Sequence, residues 1–173
     1  MTSNNGYYSH KKREVVIFRN ENFIKTFFHE FNHYLLRFHF ERPPKWINEG
    51  LSEYFEYLGV EFKNITAILP TRHKLSRIKR WLNHELGNDI DWVLSISNEQ
   101  WSAQNQKPDY KSSTLSYAIV FFLTSRKNSD KIIKKILQEL MAGKSSKEAI
   151  NLSYLGGFET FKLDFIQFYK EWN

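Results

Sequence analysis

The sequence predicts a mostly helical α+β domain with a short β-hairpin at its N-terminal end. A β-branched run at 14–18 follows a tyrosine-containing segment at 6–9 across a polar turn, which is typical of a hairpin. Most of the remaining chain carries apolar residues at helical spacing, interrupted by Pro and Gly. The 173 residues include no cysteine, so a core of ordinary size must stabilise the domain without disulfides.

The first long helix is expected directly after the hairpin. Asn20 or Asn22 can cap it, and its apolar pattern runs to about Phe38. The residues expected to face the core are Ile24, Phe27 or Phe28, Phe31, Leu35 and Phe38. Prolines at 43–44 interrupt the pattern, and a second helix is expected from about residue 47 to 59.

The rest of the chain predicts a C-terminal helical lobe. Residues 74–86 read as a basic amphipathic helix, and 113–125 are apolar on nearly every side, which is typical of the most buried helix. Ser145 and Glu148 have the form of a capping box. The last helix carries one aromatic stripe, namely Phe158, Phe161, Phe165 and Phe168. We expect one compact domain, with a core at residues 1–60 and the helical lobe at 61–173.

Candidate metal-binding and catalytic residues lie in the stretch His29-Glu30-Phe31-Asn32-His33. On a helix, positions i and i+4 share a face, so both histidines can bind one metal ion. Glu30 is rotated by roughly 100° and flanks the ion, where it can act as a general base on water. By composition alone the His-Glu-x-x-His pattern would occur roughly 0.02 times in such a chain.

Acidic residues of the second helix complete the candidate site. A catalytic zinc usually has three protein ligands, and Glu49 follows His33 by 16 residues, after a break that lets the chain turn back. Glu53 lies one turn further and is expected to accept a hydrogen bond from the outer nitrogen of a ligand histidine. Glu56 is expected to be solvated, and Asn48 is expected to cap or orient the helix.

These two segments together resemble the gluzincin metallopeptidases, and most closely the peptidase MA-like group. The resemblance rests on His29 to His33 and on Trp46 followed by Asn48-Glu49-Gly50-Leu51-Ser52-Glu53-Tyr54. It implies a zincin-like catalytic domain that binds one Zn²⁺ through His29, His33 and Glu49. It also implies that the strand before the zinc helix, at 13–18, forms an edge of the cleft along which an extended peptide or unfolded protein binds.

The resemblance further implies peptide-bond hydrolysis, with Glu30 as the general base. Gluzincins stabilise the oxyanion with a Tyr or His of the C-terminal lobe, and Tyr110 is the first candidate here. His73 and His84 are thermolysin-like alternatives. The Gly-x-Met-x-Asn signature of aminopeptidases is absent, so the expected activity is that of an endopeptidase.

Two other functions are compatible with the same residues. One is a small regulatory metalloprotease specific for a single partner protein. The other is a non-catalytic peptide-binding module on a gluzincin scaffold. Cleavage of casein or a peptide library with and without a chelator separates the general endopeptidase from these two.

Charge and hydropathy restrict the partners. The net charge is +6, and its densest run, at 72–80, reads as a solvated helix face, so no nucleic acid is expected as partner. No apolar run reaches the ~18 residues of a membrane span. The first residues contain no apolar signal-peptide core, and the sequence does not assign a compartment.

Overall fold

The computed structural model describes residues 5–9, 11–57, 59–61, 64–66, 72–81 and 86–172. Of the candidates above, His84 and the side chain of His73 lie outside these residues. The described part is mostly helical with small antiparallel hairpins, which confirms the predicted class. Within it, no helix is both long and apolar enough to cross a membrane.

The N-terminal part is a hairpin packed on a long helix. Strands β1 (Gly6–Ser9) and β2 (Glu14–Ile17) pair antiparallel with Tyr7 opposite Val16, which confirms the predicted hairpin. Helix α1 follows at Phe23–His39. A Cβ added at Gly6 would lie 2.9 Å from a methyl group of Thr26. The glycine therefore allows the hairpin to lie directly against α1.

The second helix, α2 (Lys45–Glu56), starts after Pro44 and packs on both α1 and the C-terminal lobe. A second antiparallel hairpin, β3 (Gly59–Glu61) and β4 (Asn64–Thr66), follows it and was not predicted. The remaining helices are α3 (Arg72–Trp81), α4 (Leu86–Ser95), α5 (Asn98–Gln104), α6 (Lys111–Thr124), α7 (Ser129–Met141), α8 (Ser146–Ser153) and α9 (Gly157–Glu171). Helix α5 lies in a segment for which no element was predicted.

The core forms around α6, which is buried at every position from Ser112 to Leu123, as its apolar composition predicted. Helix α9 adds Phe158, Phe161 and Phe165 to the same cluster, which confirms its predicted stripe. The first turns of α2 join it through their own buried side chains, namely Trp46, Ile47 and Leu51. The helix that carries Glu49 is therefore anchored in the core of the C-terminal lobe.

The predicted core stripe of α1 is wrong. Ile24 is 56% exposed and Phe38 is 67% exposed, and Phe27, Phe31 and Leu35 are also exposed. The face that α1 turns inward is polar instead, because it carries the buried Thr26 and Glu30 and a hydrogen bond from Asn32 to Ser52 of α2 (2.8 Å). The aromatic residues of the outer face stack on one another, with the ring centroids of Phe27 and Phe31 5.3 Å apart.

Candidate metal centre

Two turns of α1 present the candidate histidines together. His29 and His33 lie at i and i+4, and their ring centroids are 4.9 Å apart with the rings nearly perpendicular. Both side chains are largely shielded from solvent. The sequence spacing therefore produces the predicted pair on one helix face.

Helix α2 brings Glu49 to this pair. Glu49 Oε2 lies 3.9 Å from Nε2 of His29 and 3.7 Å from Nε2 of His33. One potential ligand atom from each residue lies within 4.8 Å of the other two. A zinc ion at about 2.0–2.2 Å from each donor keeps donor atoms on the order of 3.4 Å apart, so the three groups need only a small inward shift to bind it.

Gly50, next to Glu49, allows α2 to pack closely against α6. A Cβ at Gly50 would lie 2.5 Å from the backbone oxygen of Ser116 in α6. Only a glycine allows α2 and α6 to approach this closely. The close contact fixes the turn of α2 that carries Glu49, while α1 supplies the histidines from the other side.

The outer nitrogens of both imidazoles are hydrogen-bonded, which determines how the rings are oriented. His33 Nδ1 lies 3.1 Å from Asn48 Oδ1 and 3.0 Å from Ser52 Oγ. Ser52 donates its own proton to the backbone oxygen of Asn48 (2.9 Å), so it can only accept from His33. His33 is therefore protonated on Nδ1, and the lone pair on Nε2 faces Glu49 and His29.

Glu56 plays the same part for His29. Its Oε2 lies 3.3 Å from His29 Nδ1. This corrects two expectations, because Glu56 was expected to be solvated and Glu53 was expected to make this contact. Glu53 instead accepts hydrogen bonds from Lys74 of α3 and Ser113 of α6. These donors direct its carboxylate toward α3 and α6.

Glu30 is buried beside the pair. The backbone N–H of Tyr8 donates a hydrogen bond to its carboxylate, while burial outweighs this contact and the proximity of His29 and raises the pKa of Glu30 above its ordinary value. A carboxyl group with a raised pKa is suited to exchange protons near neutrality. The strand in contact with Glu30 is β1, whereas the sequence assigned the edge of the cleft to the segment that forms β2.

The charges of His33 and Glu49 suit a metal ion, whereas the raised pKa of His29 means that His29 would release a proton on binding one. Burial lowers the pKa of His33 to about 4, with His29 and Lys45 adding to the effect, so this ring is neutral at pH 7. Burial also lowers the pKa of His29, but the surrounding glutamates outweigh it and raise that pKa above 6.5. Burial raises the pKa of Glu49, yet His33 and Lys45 hold it below its ordinary value, so Glu49 is ionised.

Lys45 was not anticipated as part of this site. Its ammonium group donates to Glu49 Oε1 at 2.7 Å, one helical turn before Glu49. The contact occupies one carboxylate oxygen and leaves Oε2 directed at the histidines. The i,i+4 spacing of Lys45 and Glu49 was the only sequence sign of this pair.

Tyr110 lies away from these contacts. It caps the N-terminal end of α6 with a left-handed backbone (φ 48°) and is 49% exposed. Its ring lies 5.5 Å from the guanidinium of Arg77 in α3. Among the described residues its side chain makes no contact with His29, His33 or Glu49, and its role in stabilising an oxyanion stays a prediction.

The sequence and the fold were also compared with known proteins. No family model, curated protein or solved structure matches the chain, so function is argued from the site itself.

Proposed function

We propose that the protein is a zinc-dependent metallopeptidase with a zincin-like catalytic domain. The observation that supports the proposal most is that Glu49 Oε2 lies 3.9 Å from Nε2 of His29 and 3.7 Å from Nε2 of His33, next to the buried Glu30. Two neutral imidazoles and one carboxylate are the ligand set of many catalytic zinc sites, in which the fourth position serves water or substrate. The sequence resemblance to gluzincins supports the same ligand set.

Zinc held by these residues would polarise the scissile carbonyl and acidify a water molecule. Glu30 takes the proton of the attacking water and returns it to the leaving amine. Its raised pKa favours both transfers near neutral pH. Glu56 and Asn48 keep the two imidazoles in the tautomer that offers Nε2, and Lys45 keeps Glu49 bound through one oxygen.

An extended peptide is the proposed substrate. The hairpin register makes Tyr7 and Ser9 hydrogen-bonded positions, since the flanking amide of Phe18 donates to Asn5 in the same pattern. Tyr8 therefore directs its backbone groups away from β2, and its N–H reaches Glu30. An extended peptide that runs past Glu30 would lie along the side of β1 that faces away from β2.

The test combines metal loading with a change at the base. Zinc-loaded wild type should cleave casein or a mixed peptide library, and a chelator should abolish the activity. Glu30→Gln should retain zinc and lose about 10²–10⁴-fold in kcat, because amide nitrogen cannot accept the proton of water. Glu21→Gln, the same change at an exposed residue, is the matched control and should behave as wild type.

Each outcome has a distinct meaning. If zinc-loaded wild type cleaves no peptide in the library, the proposed function is wrong. If Glu30→Gln cleaves at the wild-type rate, the chain is a peptidase but the assigned base is wrong.

A further inference from the structure

A small polar pocket lies directly beside Glu49. Its volume is about 220 Å³, and it is lined by Lys45, Glu49, Trp101, Ser102, Asn105 and Gln106. Pockets for whole small-molecule ligands usually measure ~300–1,000 Å³, so this one suits a single side chain. Glu49 belongs to both the pocket and the candidate metal centre, so the two are neighbours.

The walls of the pocket are held by hydrogen bonds between α2, α5 and α6. The backbone N–H of Lys45 donates to Asn98 Oδ1 at 2.9 Å, which ties the start of α2 to the start of α5. Helix α5 begins with a capping box at Ser97. The buried Trp101 donates its indole N–H to Ser116 of α6 at 3.0 Å. The pocket is therefore formed before any ligand enters it.

Lys45 supplies the cationic group of the pocket. An ammonium has three N–H donors, and one of them is used on Glu49 Oε1. The ammonium also lies 5.6 Å from the centre of the Trp101 ring, a cation–π contact that helps to hold the ammonium in place. Two donors are left for a group that enters from the cleft.

Asn105 supplies a second donor. Its Oδ1 is buried and has no hydrogen-bond partner among the described residues. Asn105 lines the pocket, and the NH₂ group of its amide carries two N–H donors that can bind a carboxylate there. Ser102 donates its proton to the backbone oxygen of Asn98. The polar groups left to bind a ligand are the Lys45 ammonium and the amides of Asn105 and Gln106, with Glu49 as the acidic group of the lining.

We propose that this pocket is a specificity subsite for an acidic side chain, Asp or Glu, of a peptide substrate. The inference rests on the proposed function. A metal ion bound to Glu49 Oε2 would compensate the negative charge of Glu49, so the positive charge of Lys45 would be available to the substrate. A carboxylate then receives hydrogen bonds from Lys45 and Asn105. Such charge-assisted contacts are stronger than those to a neutral amide.

The experiment compares alanine-based peptides that carry one Asp or one Asn, scanned through each position of a cleaved sequence. With zinc-loaded wild type, kcat/KM should favour Asp over Asn by about tenfold at one position, mostly through KM. Raising the salt concentration should reduce the preference. Lys45→Met and Asn105→Leu should each reduce it, whereas Lys45→Arg should retain it.

A second readout does not depend on turnover. The same peptides are titrated onto zinc-loaded Glu30→Gln, and the Asp peptide should bind about tenfold more tightly than its Asn partner. Combining Lys45→Met with Glu30→Gln, with zinc content checked, should equalise the two affinities.

The outcomes separate the two proposals. Equal kcat/KM for the Asp and Asn peptides at every position would overturn the acidic subsite and leave the peptidase intact. An absence of cleavage by zinc-loaded wild type would overturn the peptidase, and the binding titration would still decide whether the pocket prefers a carboxylate. A preference for Asp over Asn that Lys45→Met leaves unchanged would show that a group other than Lys45 binds the acidic side chain.

Discussion

The two imidazoles of α1 are oriented through their Nδ1 atoms by side chains of α2. Glu56 holds His29, while Asn48 and Ser52 hold His33. Such outer contacts fix the tautomer and raise the basicity of a metal-binding histidine. The metal affinity of the site should therefore depend on residues that do not touch the metal.

Replacing Glu56 with Gln should weaken zinc binding by about 10–100-fold, because His29 loses a carboxylate partner. Glu53→Gln is the matched control, since Glu53 lies on the same helix but bonds to Lys74 and Ser113 instead. Competition with a chromophoric chelator measures both affinities. Equal effects of the two variants would contradict the assignment of Glu56.

The sequence predicted which candidate ligand residues come together better than it predicted the side chains that hydrogen-bond to them. His29, His33 and Glu49 come together because helix periodicity and one chain reversal are enough to place them. Whether Glu53 or Glu56 faces α1 depends on how α2 crosses α1 and on the donors that α3 and α6 direct at Glu53. Periodicity along α2 contains neither piece of information.

At the scale of elements, α1 shows that apolar patterning alone does not always predict which face of a helix is buried. An apolar stripe at helical spacing normally marks the buried side of a helix. Here the polar contacts of α1 with α2 and β1 take the inner side, and the aromatic stripe is left outside. In α6 and α9, where no polar site competes, apolar patterning predicted burial correctly.

Truncating a core ring and a surface ring should have different effects. Phe165→Ala should lower the free energy of unfolding by about 3–5 kcal/mol, because this ring of α9 is fully buried. Phe38→Ala removes a ring of the same size that is 67% exposed, and should change stability by less than about 0.5 kcal/mol. Urea denaturation measures both. A large loss for Phe38→Ala would mean that the outer face of α1 is covered in solution.

Asp91 links α4 to the last two helices. Its carboxylate lies 2.5 Å from Lys147 of α8 and 3.0 Å from Lys162 of α9. Partial burial raises the pKa of Asp91, but the two lysines outweigh it and hold the pKa below its ordinary value of 3.8. A depressed folded pKa adds stability above the unfolded pKa, and this contribution is lost as pH falls through the folded value.

Asp91→Asn should therefore lower the free energy of unfolding by about 1 kcal/mol at pH 7, since the pair is only partly shielded from solvent. The difference from wild type should persist at pH 5 and shrink as the pH falls below 3.8. Urea titrations at several pH values provide the measurement. A difference that is constant with pH would show that the lost contact is not electrostatic.

At the scale of the whole molecule, the metal centre joins parts of the chain that are distant in sequence. Helix α1 provides two candidate ligands, and α2, which is embedded in the C-terminal core, provides the third. These groups come together only in the folded chain. A metal ion bound there should stabilise the native state by mass action.

Saturating zinc should raise the free energy of unfolding by about 2.7 kcal/mol at a hundredfold excess over Kd. For a chain of this size that corresponds to a rise in Tm of roughly 5–10 °C. His33→Ala should abolish the rise, and a chelator should reverse it in wild type. A similar rise in His33→Ala would place the stabilising ion elsewhere on the protein.

The most direct test of zinc binding at His29, His33 and Glu49 is the zinc content of the purified protein. It is measured by elemental analysis on protein that was purified without a chelator. The account predicts about one zinc ion per chain in wild type and a marked loss in His33→Ala. Less than about 0.2 zinc per chain in wild type would contradict the assignment of His29, His33 and Glu49 as a zinc site.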